Sequence, residues 1–164
     1  MMSSADVLEV LDAFDEAGVS VVIEGGWGVD ALFGSETRAH SDLDVALDRN
    51  LLVHAQESLE HLGFHHAAHV SPGLPARLVM VDGSGRQVDL HPLKFDAAGN
   101  GLQQLTPEGD RWGRYPAQHL NSSGTVGGRR VICISATLQM EFHQGYEHSD
   151  ADRHDLELLK SCLK

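Results

Sequence analysis

Residues 25–44, GGWGVDALFGSETRAHSDLD, decide how the rest of the chain is read. The stretch opens with two glycines directly after an apolar run (Val19, Val21, Val22, Ile23). It closes with an Asp-Leu-Asp triplet that enters a second apolar run (Leu43, Val45, Leu47). Successive side chains of a strand point to opposite faces, so Asp42 and Asp44 are expected to share one face while Leu43, Val45 and Leu47 enter the core. Two carboxylates held side by side repel each other and lose hydration unless a cation lies between them. Oxygen ligands of this kind suit Mg²⁺, which takes one or two protein carboxylates and completes its octahedron with water and phosphate oxygens. The glycine pair offers the complementary half. Bare backbone N–H groups at a strand-to-helix turn approach phosphate closely, aided by the positive end of the helix that follows. A phosphate cradle beside metal-binding carboxylates outlines a site for a nucleotide.

Upstream of this stretch, residues 5–17 read as a helix, with Val7, Leu8, Leu11 and Phe14 at helical spacing and Gly18 as the stop. Residues 20–24 read as the first strand. A short helix is expected over 27–33, closed by Gly34. A polar loop over 34–41 carries Arg38 and His40 into the aspartate strand. Residues 51–62 have helical periodicity through Leu52, Ala55, Leu59 and Leu62. Beyond them the pattern turns antiparallel. Residues 76–81 and 86–93 are apolar runs joined by Asp82-Gly83-Ser84-Gly85, a hairpin signal. In the second run Val88 and Leu90 take the buried face, which leaves Asp89 and His91 together on the other. Residues 96–101 read as a turn, and the polar stretch 106–123 as a loop anchored by Trp112 and Tyr115. Gly127-Gly128 turns a hairpin into 130–134, and Ser135 caps a helix to about residue 145. Ser149 or Asp150 caps a last helix with Leu156, Leu159 and Leu163 on one face. The fold expected is α/β (α+β): a mixed sheet with flanking helices, a core over residues 1–134, and a short C-terminal helical pair over 135–164 packed on the same domain.

Composition bounds the partners. The 164 residues suit one domain, and 41% hydrophobic with 22% charged residues is the balance of a globular protein with a core. No apolar run reaches the length of a membrane span, and the N-terminal segment is too acidic for a secretory signal. Cys133 and Cys162 are too few and too far apart for a disulfide framework, so they are expected to be reduced thiols of a cytoplasmic protein. Net charge is −12, and the 12 Lys and Arg residues form no patch beyond Arg129-Arg130. Gripping a nucleic-acid backbone takes clustered cations, so a nucleic-acid substrate is not expected; a small cationic molecule is compatible with such a surface.

The chemistry-bearing constellation is Asp42, Asp44 and Asp89. Three carboxylates on two neighbouring strands suit a pair of divalent ions of the kind that supports in-line phosphoryl displacement. Asp89 is read as a ligand, as the general base that takes a hydroxyl proton, or as both; the sequence leaves this open. Trp27 is weighed as a nucleotide platform against a core residue. His91 reads as a partner of Asp89 rather than a base, and His40 similarly. His65, His66 and His69 lack the further ligand of a zinc site and read as surface. Lys94 is open between ligand contact and solvent. Glu141, Tyr146 and Asp152 are open between an acceptor wall and helix packing or capping.

These features resemble the polymerase-β-type nucleotidyltransferase superfamily: a Gly-Gly turn, a carboxylate-x-carboxylate strand and a third carboxylate on a later strand. Within it the chain is similar to the lincosamide nucleotidyltransferases and aminoglycoside 2″-nucleotidyltransferases. The resemblance is carried by GGWGVDALFG (residues 25–34), TRAHSDLDV (37–45), VDLHPLKFDAAGNG (88–101), CISATLQMEFHQGYE (133–147), Asp152 and Asp155. Many superfamily members have Ser after the first glycine and a shorter gap to the carboxylates. Here Gly26 and fifteen intervening residues suit the antibiotic branch rather than a polymerase. The resemblance implies transfer of AMP from ATP to a hydroxyl of a small-molecule antibiotic, a lincosamide or an aminoglycoside, by attack at the α-phosphate with two Mg²⁺ ions. It implies Asp42 and Asp44 as metal ligands and Asp89 as third carboxylate and base. Gly25, Gly26, Trp27 and Arg38 would lie at the nucleotide, in a homodimer whose sites draw on both subunits. The alternatives are the same chemistry on a protein or an RNA 3′ end, and a catalytically silent binding version of the fold.

Overall fold

In the computed structural model, which describes residues 1–163, the chain begins with helix α1 (Ser4–Glu16). Ser3 and Asp6 close a capping box at its start, and Val7, Val10, Leu11 and Phe14 are its buried stripe. Strand β1 (Val21–Glu24) runs straight into α2 (Gly25–Phe33), and β2 (Asp42–Asp48) returns antiparallel to β1. Helix α3 (Leu52–His61) crosses over to the short β3 (His65–His66) and then to β4 (Leu78–Val81), which forms a hairpin with β5 (Gln87–Phe95). Then follow β6 (Gly101–Gln104), β7 (Trp112–Tyr115), β8 (Ser122–Val126), β9 (Arg129–Cys133), α4 (Ala136–Phe142) and α5 (Asp150–Cys162).

The sheet is mixed and runs β3-β4-β5-β2-β1-β9-β8. Strands β2 and β5 are parallel neighbours, and β1 pairs in parallel with β9. The far end of β5 carries β6 and then β7 as an antiparallel extension. Strand alternation sorts the side chains as expected. Leu43, Val45, Leu47, Val88 and Leu90 enter the main core with residues of α1 and α3. The opposite face holds a second cluster of Ala46, Leu93, Tyr115, Leu120, Ile134 and Leu138. The acidic residues of β1, β2 and β5 lie on this second face, where the apolar cover stops. Helices α4 and α5 pack against α2 through Val29, Ala136 and Leu159.

The structure corrects several expected elements. Helix α2 starts at Gly25 rather than at residue 27, because Gly25 adopts φ 60° and lets the strand turn directly into the helix. The stretch 106–123 is not all loop: it contains β7, a 3₁₀ turn at Ala117–His119 and the start of β8. Strands β6 (GLQQ) and β7 (WGRY) lack apolar alternation, so pairing to β5 and burial of Tyr115 set their conformation. Helix α4 ends at Phe142. In α5 the buried positions are Asp155 and Leu159, whereas Leu163 is exposed. Among the described residues, no helix is long and apolar enough to cross a membrane.

Candidate active site

Three carboxylates stand in a row across the sheet. Glu24 of β1 is the register partner of Asp44 of β2, and Asp44 is the register partner of Asp89 of β5. Residues paired in this way project from the same face, so the row follows from backbone pairing alone. Asp42 lies two residues before Asp44 on that face, and its Oδ1 accepts a 3.0 Å hydrogen bond from Ser41 Oγ. His91, two residues after Asp89, faces the row: Nε2 is 3.2 Å from Asp44 Oδ1 and Nδ1 is 3.5 Å from Glu24 Oε1. Gln103 Nε2 is 3.0 Å from His91 Nδ1 and donates to the Ala76 carbonyl at 2.8 Å, which ties β6 to the site.

Asp89 is fully buried, with both oxygens engaged. Arg77 Nη1 donates to Oδ2 at 2.6 Å and Gln87 Nε2 to Oδ1 at 2.8 Å. Burial raises the carboxyls of Asp42 and Asp89 above the ordinary range, and the charge of Asp44 adds to it. Burial likewise raises Glu24, against the attraction of His91. For His91, burial opposes the charged form, but Glu24, Asp44 and Asp89 outweigh it and push the imidazole up to about 9. Such crowding of acids is the electrostatic setting of a divalent cation. One ligand atom each from Asp44, Asp89 and His91 lies within 4.8 Å of the others; the two carboxylates fit a divalent ion, His91 would have to give up its proton to join them, and Asp42, expected as a ligand, is not in this group.

The N-terminus of α2 meets this row. No side chain caps it, so its first N–H groups are free toward the cleft. A Cβ on Gly25 would lie 2.3 Å from Asp44 Oδ2, and one on Gly26 would lie 2.4 Å from Arg38 Nη2. The glycines let the helix start, the metal-type carboxylate and the arginine share one small space. Gln139 of α4 donates to the Gly25 carbonyl at 3.1 Å and fixes the turn from the other side.

These groups line a cleft of ≈ 550 Å³ that also takes in Tyr115, Phe142, Tyr146, Asp152 and Asp155. Of the residues expected at the site, Gly25, Gly26, Arg38, Asp42 and Asp44 line it, and Asp89 adjoins it through Asp44. Trp27 departs from its expected place beside the nucleotide. It is 2% exposed and stacks on His40 with ring centroids 4.5 Å apart, because at the third residue of α2 it faces the core. His40 is buried and bonded to Asp30 at 2.6 Å, while His65, His66 and His69 are exposed. Lys94 lies away from the cleft, beside Trp112 and Pro92. Tyr146 and Asp152 are joined by a 3.0 Å hydrogen bond at the cleft wall.

Sequence reasoning did not single out Glu24, Arg77, Gln87, Gln103 or Gln139. Glu24 was visible as an acid ending an apolar strand immediately before the glycines. The others gain their meaning from residues far away in the chain.

The sequence profile of the aminoglycoside-2″-adenylyltransferase family matches residues 6–159. The lincosamide resistance protein of Staphylococcus haemolyticus is 31% identical over 161 residues, covering 98% of this chain and 96% of that protein. The lincomycin-bound crystal structure of the lincosamide antibiotic adenylyltransferase LnuA superposes with a TM-score of 0.81 at 29% identity, covering 95% of each chain. ANT(2″)-Ia in complex with adenylyl-2″-tobramycin shares the fold at a TM-score of 0.72 and 18% identity, over 98% of this chain and 89% of that one. With a glycine-opened helix facing a row of cross-strand carboxylates, and with a family match over nearly its whole length, the chain belongs to the antibiotic-modifying aminoglycoside-2″-adenylyltransferase family and is a nucleotidyltransferase.

Proposed function

We propose that the enzyme transfers AMP from ATP to a hydroxyl group of a small-molecule antibiotic, a lincosamide in the first place and an aminoglycoside in the second. The observation that carries this reading is the pairing of Asp44 with Asp89 across β2 and β5, at the foot of the uncapped N-terminus of α2. The similarity to lincosamide-directed relatives over at least 95% of the chain supports the choice of acceptor.

In this reading the free N–H groups at Gly25 and Gly26 hold the triphosphate, and Arg38 reaches it from the loop before β2. Asp42, Asp44 and Asp89 would hold two Mg²⁺ ions, which when bound would supply positive charge against the phosphates and the leaving pyrophosphate and acidify the acceptor hydroxyl. Asp89 accepts the hydroxyl proton as the acceptor oxygen attacks the α-phosphorus and pyrophosphate leaves. Arg77 and Gln87 hold that carboxylate in position. Residues 1–134 supply this machinery, and residues 135–164 close the cleft over the acceptor. A second copy of the chain completes the acceptor wall in a homodimer, and the enzyme works in the cytoplasm.

The test is to incubate the protein with ATP, Mg²⁺ and a panel of lincosamides and aminoglycosides, and to weigh the products. An AMP-sized gain on an antibiotic is the expected result. A gain on the protein or on an RNA, or no turnover with any acceptor, would overturn the proposal.

A further inference from the structure

Strand β1 delivers one more acid to the cleft, and the chemistry proposed above does not use it. Glu24 is 4% exposed and stands beside Asp44 on the side away from Asp89, since β1 and β5 flank β2. Its Oε1 makes only long approaches, 3.4 Å to the Tyr115 hydroxyl and 3.5 Å to His91 Nδ1. Its Oε2 is buried with no hydrogen-bond partner among the described residues. Buried carboxylate oxygens are rarely left so, because nothing replaces the water they gave up.

The surroundings say what is missing. Glu24, Tyr115 and Phe142 line the same cleft, and the two aromatic rings meet edge to face at 4.9 Å. Among the described residues, Arg38 is the one Lys or Arg side chain in the lining, and Asp155 already engages it. Oε1 faces His91 Nδ1 at 3.5 Å, so Oε2 is the oxygen left to a ligand, and an acid backed by aromatic rings is the environment that takes up an ammonium group. Glu24 is separated from Asp89 by the whole of β2, and the ligand atoms that converge there come from Asp44, Asp89 and His91.

We propose that Glu24 is the specificity-determining carboxylate for the acceptor: it receives a protonated amine of the substrate and thereby sets the reacting hydroxyl beside Asp44 and Asp89. This rests on the AMP-transfer reading and narrows it, since the acceptor is then an amine-bearing polyol and its uncharged N-acyl counterpart is discriminated against. Directly paired antiparallel residues have Cβ atoms about 5 Å apart, so the amine and the reacting hydroxyl sit within a few bonds of each other on the acceptor.

The experiment compares wild type, Glu24→Gln and Glu24→Asp on lincomycin or tobramycin, whichever the wild type adenylylates, and on its uncharged counterpart: tobramycin acylated on its primary amines, or N-demethyl lincomycin acylated on the secondary amine so exposed. Wild type is expected to favour the charged acceptor by at least about tenfold in kcat/KM. Glu24→Gln should lose that preference through a higher acceptor KM, with KM for ATP and the Mn²⁺-induced rise in melting temperature retained. Glu24→Asp, which keeps the charge, should retain part of the preference and covers the case in which Glu24→Gln fails to fold. An unchanged preference in Glu24→Gln overturns the proposal, as does loss of its Mn²⁺ response, which would make Glu24 a metal ligand. Should wild type adenylylate neither compound, the transfer reading falls separately. Calorimetric titration with lincomycin and tobramycin then decides for Glu24: weaker binding by Glu24→Gln supports its role, and equal or absent binding overturns it.

Discussion

Arg38, on the loop before β2, is held from the other end of the chain by Asp155 of α5: Nε donates to Oδ1 at 2.8 Å and Nη2 to Oδ2 at 2.6 Å. The pair is bidentate, Asp155 is 2% exposed, and the Arg38 guanidinium is raised further above its ordinary value by hydrogen bonding to that carboxylate. The C-terminal helix thereby fixes the cation that lines the cleft beside Gly26, at the start of α2. Asp155→Asn should raise KM for ATP by roughly tenfold while leaving the acceptor KM near its original value. Initial-rate kinetics with each substrate varied in turn checks this. Equal changes in both KM values would mean that Asp155 only supports the fold.

Asp42→Asn and Asp44→Asn should each lower transfer on the order of a thousandfold. The melting temperature of the metal-free variants should hold or rise, because each substitution removes one of two repelling charges. A large loss of thermal stability would assign these carboxylates a structural role instead.

Gly26 leaves no room for a side chain between α2 and the loop after it: an added Cβ would meet Arg38 Nη2 at 2.4 Å and His40 Nδ1 at 2.5 Å. Arg38 is partly exposed and can move aside, whereas His40 is buried and bonded to Asp30 and cannot do so freely. Gly26→Ala is therefore expected both to weaken nucleotide binding by about tenfold and to cost about 3 kcal/mol of stability. Titration with a non-hydrolysable ATP analogue, alongside a denaturant melt, separates the two effects.

Asp30 serves the fold. Its carboxylate accepts from the Thr37 N–H at 3.0 Å and from the Thr37 hydroxyl, and it pairs with His40 Nε2 at 2.6 Å in a buried setting. Burial opposes ionisation here, but the His40 and Thr37 hydrogen bonds overcome it and hold the carboxyl below its ordinary range. A lowered folded-state value contributes stability above the unfolded value near 4, and that stability is lost as pH falls through the folded value. Asp30→Asn should cost about 2 kcal/mol near neutrality. The gap to wild type in urea melts should close as the solution is taken below about pH 4.

The site acids have the opposite dependence. Asp42, Asp89 and Glu24 are raised chiefly by burial, so in metal-free protein their stabilising contribution is present below the unfolded value near 4 and is lost as pH rises through the raised values. Chelator-treated protein should therefore gain thermal stability as the pH is lowered from neutral toward about 5, and excess Mg²⁺ should flatten that rise by replacing protons as the neutralising charge. A melt insensitive to Mg²⁺ at neutral pH would count against a metal site here.

Much of this was legible in the chain. Period-two alternation in 42–48 and 87–93 separates Leu43, Val45, Val88 and Leu90 from Asp42, Asp44, Asp89 and His91, and the structure keeps that sorting. Glycines 25 and 26 announce the close approach of α2 to the acids, and Ser135 and Ser149 mark helix starts that the structure confirms. Such features depend on neighbours a few residues away, so local sequence carries them.

The tertiary structure decided the rest. Trp27 could be assigned to the core rather than the cleft only once α2 was seated against His40. Strands β6 and β7 have no pattern of their own and exist because β5 offers an edge for them to pair with. The partnerships of Arg77 with Asp89 and of Arg38 with Asp155 join side chains 12 and 117 residues apart. The sequence by itself determined which residues are acidic and which face of each strand they occupy, because side-chain alternation is a property of the extended backbone. Strand order and register placed Glu24, Asp44 and Asp89 in a single row. That choice is made by packing across the whole sheet, where a slip of one residue would turn every acid into the core.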